Sequence, residues 1–261
     1  MKTKETFASL IDSFQYHYDL STVFDDFLTM SVASCGRNVL TGLSYDEDLY
    51  LKIIARYKDD DLRHNFPKMF ATLTLEMTER MLSKEGTDVL GEFYEARLQK
   101  QGLSQFFTPY PICEFMARIA IGEAQKIAEE RPMRILDPAC GSGRMLMVAA
   151  HSSEKKHEYY GIDIDLTCVK MSALNLFLSG IFNSEVMCAN ALLPNEFRGS
   201  YLVSFLPFGI FRIEEKEKSL LWHLVNNKTS NNNSNEITEG KPPKEYEWGK
   251  GNPLGSQLEF F

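Results

Sequence analysis

Arg134-Ile135-Leu136-Asp137-Pro138-Ala139-Cys140-Gly141-Ser142-Gly143-Arg144 is the stretch that decides how the rest of the chain is read. Arg134-Ile135-Leu136 predicts a short strand, and a helical pattern starts at about Arg144. Asp137 to Gly143 then forms the loop between them. Gly141 and Gly143 let the backbone turn tightly and approach a ligand closely. The following helix offers backbone N–H groups and the positive end of its dipole. A dinucleotide fingerprint needs a third glycine three residues after Gly143. Leu146 stands there, so pyrophosphate binding and a nicotinamide-linked oxidoreductase are disfavoured. The carboxylate of Asp137, at the strand end, suits an ammonium group instead. The bland alternative is a tight turn that binds nothing.

Working outward, short apolar runs alternate with helical patterns from residue 105 to about 211. That alternation predicts βα units on a parallel sheet. Glu158 to Ile162 reads as the second strand, Glu185 to Ala189 as the third and Tyr201 to Phe205 as the fourth. Asp165 to Ser179 reads as a helix that Gly180 caps at its C-terminus. In Gly161-Ile162-Asp163-Ile164-Asp165, Asp163 falls 26 residues after Asp137, at the end of the second strand. An acidic residue there in a nucleotide-binding sheet accepts hydrogen bonds from both ribose hydroxyls. Ile164 could pack on an adenine face. The alternative for Asp163 is a helix cap. Upstream, Pro111 suits a first helical turn. Ile112, Phe115, Met116 and Ile119 follow at i, i+3, i+4 and i+7 and predict one buried face.

Residues 1–104 read as a helical N-terminal domain, with a helix over Ser21 to Ala33 opened by a Ser cap. Residues 105–211 read as the cofactor-binding domain. Residues 212–261 read as a polar loop or tail with the start of a further helix; the asparagine-rich tract and Lys241-Pro242-Pro243-Lys244 fall here. Asp59-Asp60-Asp61 reads as a solvated loop.

The 261 residues include 28 Lys plus Arg and 36 Asp plus Glu, for a net charge of −8, and 44% are hydrophobic. This is globular composition and excludes disorder over the whole length. No apolar run approaches the roughly 18 residues a membrane-spanning helix needs, and MKTKETFASL does not resemble a signal peptide, so a cytoplasmic protein with no membrane partner is expected. The five cysteines are scattered without a CxxC pair, which argues against a zinc site and a disulfide framework; no metal is expected. The acidic balance disfavours nucleic-acid binding unless a local basic groove or a basic partner helps. Lys100, Arg118 and Arg144 either flank such a groove or are ordinary surface charges.

Several of these motifs stand in the order of a known family. Asp88-Val89-Leu90-Gly91-Glu92-Phe93-Tyr94-Glu95, then Gln105-Phe106-Phe107-Thr108-Pro109, then DPACGSG, GIDID and Ala173-Leu174-Asn175-Leu176 resemble adenine-N6 DNA methyltransferases, in particular the modification subunits of type I restriction enzymes. The resemblance covers roughly Asp88 to Gly209. It implies an α/β, Rossmann-like S-adenosylmethionine-dependent methyltransferase sheet preceded by a helical domain, and S-adenosylmethionine as cofactor. It places Thr108 and Pro109 near the methionine carboxylate, Asp137 near its ammonium and Asp163 at the ribose, with Phe107, Pro138, Gly141, Gly143 and Ile164 also among the cofactor-binding residues. Asn190 stands where the family has an acidic residue near the cofactor's adenine. The family's catalytic Asn-Pro-Pro-Phe corresponds to Phe205-Leu206-Pro207-Phe208. Pro207 and Phe208 are kept, and Phe208 would stack on a flipped base. Phe205 and Leu206 replace the Asn and the first Pro, so slow or absent methyl transfer is expected.

The resemblance also implies DNA as partner, with a second chain supplying recognition. Ser256-Gln257-Leu258-Glu259-Phe260-Phe261 resembles the start of the helix after the catalytic motif. On that alignment the sheet has an edge after its fourth strand, and a partner or a homo-oligomer is expected to cover it. The alternative function is a non-catalytic subunit that binds S-adenosylmethionine or DNA.

Overall fold

The computed structural model describes residues 5–36, 46–98, 107–127, 132–153, 156–193, 195–231 and 258–260. Five helices come first: α1 (Phe7–Asp12), α2 (Leu20–Cys35), α3 (Glu47–Ile54), α4 (Asp60–Ser83) and α5 (Val89–Phe93), the last running into a π-helical turn, Tyr94–Leu98. Their starts are set by side-chain caps. Asp19, not Ser21, caps α2 by accepting from Thr22 N at 2.9 Å. Asp59 caps α4, and Asp60 and Asp61 form its first turn, so the acidic triplet faces the positive end of a helix dipole and is not a loop.

The second half follows as α6 (Tyr110–Ile127), β1 (Arg134–Asp137), α7 (Arg144–His151), β2 (Glu158–Asp163), α8 (Leu166–Leu178), β3 (Ser184–Cys188), β4 (Ser200–Phe205), β5 (Phe208–Ile213), α9 (Leu220–Asn231) and β6 (Leu258–Phe260). They form one six-stranded sheet in the order β5-β4-β3-β2-β1-β6. β6, β1, β2 and β3 are parallel, whereas β4 runs antiparallel to β3 and β5 antiparallel to β4. The expected α/β architecture is present, with four differences. β4 is no edge: β5 pairs along its other side. Leu258–Phe260, expected at a helix start, is a strand beside β1. Residues 212–231, expected as an irregular tail, hold the end of β5, a 3-10 turn and α9. And α6 buries Cys113, Ala117 and Ile121, while Ile112, Phe115 and Ile119 lie on its exposed side, Phe115 at 65%. Helical spacing located the apolar stripe; the packing of α6 on α7 chose a different face.

Both faces of the parallel strands are covered. Ile135, Tyr159 and Val186 face α7, α8 and the helical stretch. Leu136, Tyr160, Ile162 and Met187 face the other way, against Leu221 of α9. The helical stretch has no separate core: Phe7, Phe24 and Leu73 share one cluster with Leu146, Leu174 and Val203. Lys170 of α8, nearly inaccessible, fastens the two halves by donating to Asp25 of α2 at 2.6 Å and to Thr29 at 2.9 Å.

A buried polar network joins the same halves beside β1. The Asp88 carboxylate is fully buried. It accepts from Gly91 N at 2.8 Å, Asn175 Nδ2 at 2.8 Å, Arg144 Nε at 2.9 Å and the Ser142 hydroxyl. Removing one member of a buried ion pair leaves the other charged and dry, which costs roughly 3–5 kcal/mol. Asp88→Ala is therefore expected to destabilise the chain by about that amount. Urea unfolding checks it; a loss below about 1 kcal/mol, the level of a surface pair, would show that the network is incidental.

Candidate functional site

The loop after β1 is built as its sequence demands. Gly141 (φ +52) and Gly143 (φ +81) both sit in the left-handed region. A Cβ on Gly141 would stand 2.7 Å from the Phe107 ring, and one on Gly143 would stand 2.5 Å from Ser172 Oγ. Gly143 N donates to Cys140 O at 2.8 Å and closes the turn that opens α7. Cys140 N donates to Ile162 O at 2.9 Å, which ties the loop to the end of β2.

Asp137 ends β1 and Asp163 ends β2, both at the carboxyl ends of parallel strands, where open α/β sheets take ligands. Asp137 and Pro138 are half-buried. Asp137 accepts from Ala139 N at 3.1 Å and meets no cation among the described residues. Burial pushes its carboxyl up to about 6, against the pull of the Ala139 N–H, with Asp163 adding repulsion. Burial also raises Asp163 against three backbone N–H groups, two of which donate to it at close range. Those two donors are Gly141 N at 2.8 Å and Asp165 N at 2.9 Å, so one carboxylate pins both the glycine loop and the start of α8. The helix cap proper is Asp165, which accepts from Thr167 N. Next to Asp163, the Ile164 side chain is 55% exposed. At the end of β3, Asn190 is half-buried and its side-chain oxygen accepts from Leu192 N at 3.0 Å.

A cleft of about 50 Å³ lies over the loop, lined among others by Phe107, Thr108, Asp137, Gly141 and Ser142. Pro109 immediately precedes α6, its carbonyl accepting from Ile112 N and Cys113 N. Gln105, Phe106 and Lys100 lie outside the described residues, as do residues 241–244. The structure thus brings Phe107, Thr108, Asp137, Pro138, Gly141 and Gly143 together at one strand end, with Asp163, Ile164 and Asn190 along the neighbouring ends.

Pro207 and Phe208 are not with them. Phe205 pairs with Phe208, leaving Leu206 and Pro207 as the tip of the β4–β5 hairpin. β4 is antiparallel to β3, with Val203 opposite Ser184 at the start of β3. The tip therefore lies at the amino ends of the parallel strands, about 17 Å away from the carboxyl ends by the five-residue length of β3. There Phe205 and Phe208 pack on Phe182, both at 5.5 Å between ring centroids, and Phe208 also on Phe177. The antiparallel direction of β4 thus carries Phe205 to Phe208 to the end of the sheet opposite the glycine loop.

The residue that sequence reasoning missed is Arg144. It is 6% exposed, so it is no ordinary surface charge, and it lies among the residues that line the cleft. Its Nε meets Asp88, its Nη2 meets Glu95 Oε2 at 2.9 Å and its Nη1 donates to Thr108 O at 3.2 Å. The guanidinium also sits 5.6 Å from the Phe107 ring and 5.1 Å from that of Tyr110, within cation–π range. Burial works against this charge, and Asp88 and Glu95 outweigh it, so its pKa is raised. A usable signal was present: a cation at the first position of a helix opposes the dipole and calls for nearby carboxylates. Arg118 is exposed.

Among the described residues no group of three His, Cys, Asp or Glu could hold a metal ion, and no helix is long and apolar enough to cross a membrane. The described cysteines are free, and four of them are buried.

Comparison with known proteins follows the same residues. Residues 85–237, more than half of the chain, match the family described as N-6 DNA Methylase. The chain is 32% identical over 141 residues to the type I restriction enzyme MpnII methylase subunit of Mycoplasma pneumoniae, covering 49% of this chain and 25% of that one. It is 31% identical over 117 residues to the type II methyltransferase M.MamI of Microbacterium ammoniaphilum, covering 38% and 32%. Among solved structures, the type I restriction-modification methyltransferase subunit from Streptococcus thermophilus shares 15% identity at a TM-score of 0.33, over 69% of this chain and 56% of that one. The matched segment is about a quarter to a third of the two curated relatives. Residues 85–237 include the glycine loop, both strand-end aspartates and the Asp88–Arg144 network, and on that family match this chain belongs to the N-6 DNA methylase family.

Proposed function

We infer that the chain is the S-adenosylmethionine-binding part of a restriction-modification DNA methyltransferase that acts on adenine N6. The observation that carries the reading is Asp137, a carboxylate held in a small cleft with one backbone donor and no cation among the described residues. An ammonium group placed there would supply the missing charge and favour the ionised carboxylate. The cleft opens over the glycine loop beside Asp137, where the amino-acid end of the cofactor would sit. The nucleoside would then extend over the end of β2, where Asp163 offers ribose acceptors and Ile164 an exposed apolar surface. Thr108 and Pro109 wall the methionine side, and Asn190 stands near the adenine edge. When bound, S-adenosylmethionine supplies an electrophilic methyl group. The chain's own residues hold the amino-acid end, orient the ribose and exclude water from the loop.

The relatives are named a methylase subunit and a methyltransferase, which supports DNA and a partner chain as the surroundings of this one. A second reading, a cofactor-binding subunit without its own transfer chemistry, is favoured by the hairpin tip, since Phe205 to Phe208 lie at the far end of the sheet from Asp137.

Calorimetric titration with S-adenosylmethionine tests the site. Asp163→Ala should lose a charge-assisted hydrogen bond of about 1.5–3 kcal/mol, roughly ten- to a hundredfold in affinity. Unchanged affinity with an intact fold would remove Asp163 from the site. The ionised form of Asp137 is the one that binds a cation, and its carboxyl titrates at about 6 in the free chain. Affinity should therefore fall as pH drops below 6, approaching tenfold per unit. A pH-independent affinity would contradict the role of Asp137. With labelled cofactor and mixed-sequence DNA, the chain alone should incorporate little methyl group. Restoring the family motif by Phe205→Asn plus Leu206→Pro should not raise incorporation. A marked gain would mean that the hairpin tip reaches the cofactor after all.

A further inference from the structure

We propose that Glu95 is a positioning residue for the methionine end of the cleft, acting through the backbone of Phe107 and Thr108; the proposal rests on the cofactor reading above. Glu95 belongs to the π-helical turn Tyr94–Leu98, at the junction of the helical stretch and the sheet. A wide helical turn of this kind is a frequent companion of functional sites. Its two carboxylate oxygens have different tasks. Oε1 accepts from Phe107 N at 3.0 Å, and Oε2 pairs with Arg144 Nη2 at 2.9 Å. Arg144 in turn donates from Nη1 to Thr108 O at 3.2 Å. One carboxylate thus fixes the N–H of Phe107 directly and the carbonyl of Thr108 through a single intermediary. Both residues line the cleft that contains Asp137.

Phe107 is held on every side that the structure describes. Its ring lies on Gly141, stacks on Tyr94 at 5.9 Å between centroids and faces the Arg144 guanidinium. Freeing its N–H would let the wall of the cleft shift relative to Asp137. Displacements of about an ångström are enough to impair a preorganised site. Glu95 is otherwise a poor candidate for a purely structural role. Its side chain is 27% exposed, and Arg144 keeps its fully buried partner Asp88 when Glu95 is lost.

The test separates the ends of the ligand. S-adenosylhomocysteine carries the amino-acid end; 5′-methylthioadenosine lacks it and keeps the nucleoside. Glu95→Ala in the full chain should weaken S-adenosylhomocysteine about tenfold and change 5′-methylthioadenosine by less than twofold. Glu95→Gln keeps an acceptor for Phe107 N–H and should recover most of that loss. Without any ligand, amide exchange at Phe107 should accelerate in Glu95→Ala. Equal weakening of both ligands would mark Glu95 as merely structural and overturn the proposal, as would unchanged binding. A native chain that binds neither ligand overturns the cofactor reading, whereas unchanged exchange at Phe107 overturns the positioning role by itself.

Discussion

The guanidinium of Arg144 is removed from water, and two carboxylates compensate it. A lone charge buried to this degree would be far too unfavourable to keep, so wherever Arg144 goes, Asp88 must follow, and the partly exposed Glu95 meets the same guanidinium from the cleft side. Asp88 opens α5 and Glu95 lies one turn beyond it, both in the helical half, whereas Arg144 opens α7 in the sheet half. The pairing therefore forces α5 and its π-helical extension against the glycine loop. Asn175 and Ser142 complete the Asp88 shell, which extends the constraint to α8 and to the loop itself. The helical stretch is less a separate module than the third wall of the cleft. Its apolar residues share a core with the sheet for the same reason.

A similar logic operates on the other face with a different chemistry. Glu185 of β3 is buried and has no cation beside it among the described residues. It accepts instead from Ser200 Oγ at 2.7 Å, from the Ser219 hydroxyl and from Leu221 N at 3.1 Å. The last donor belongs to the first turn of α9, so the carboxylate is stabilised by the positive end of a helix dipole. Burial still raises its pKa against those bonds. The contact anchors α9 over Leu136, Tyr160 and Met187, and closes the second face of the sheet.

The βα units around DPACGSG and GIDID were legible because each signal is local. A short apolar run, a glycine turn and a helical pattern follow one another within a dozen residues, and no distant partner is needed to read them. The carboxylates at the strand ends were legible for the same reason. What escaped depends on contacts remote in sequence. The face that α6 buries was set by α7, and the burial of Arg144 by residues 56 and 49 positions earlier. The Asp59 cap shows a smaller failure: an acidic run looks like a solvated loop until a helix starts inside it. The strand at Leu258–Phe260 was illegible because three residues carry no periodicity, and only the free edge of β1 makes them a strand.

The hairpin is the most instructive case, because there the residue pattern and the strand direction point to different ends of the sheet. Pro207, Phe208 and Gly209 fit the tail of a catalytic motif as residues, yet each has a use in the place where it stands. Leu206 and Pro207 form the two-residue connection between β4 and β5. Phe208 joins a cluster of aromatic rings at the amino end of β3. Gly209 has φ +147, and a Cβ on it would stand 2.5 Å from Cys35 O at the end of α2. A residue pattern shared with a catalytic loop acquires that chemistry only if its strand delivers it to the carboxyl ends of the sheet. β4 turns back against β3, so its tip is carried away from Asp137 and Asp163 by one strand length. Strand direction, which four residues cannot encode, decides which end of the molecule those side chains serve.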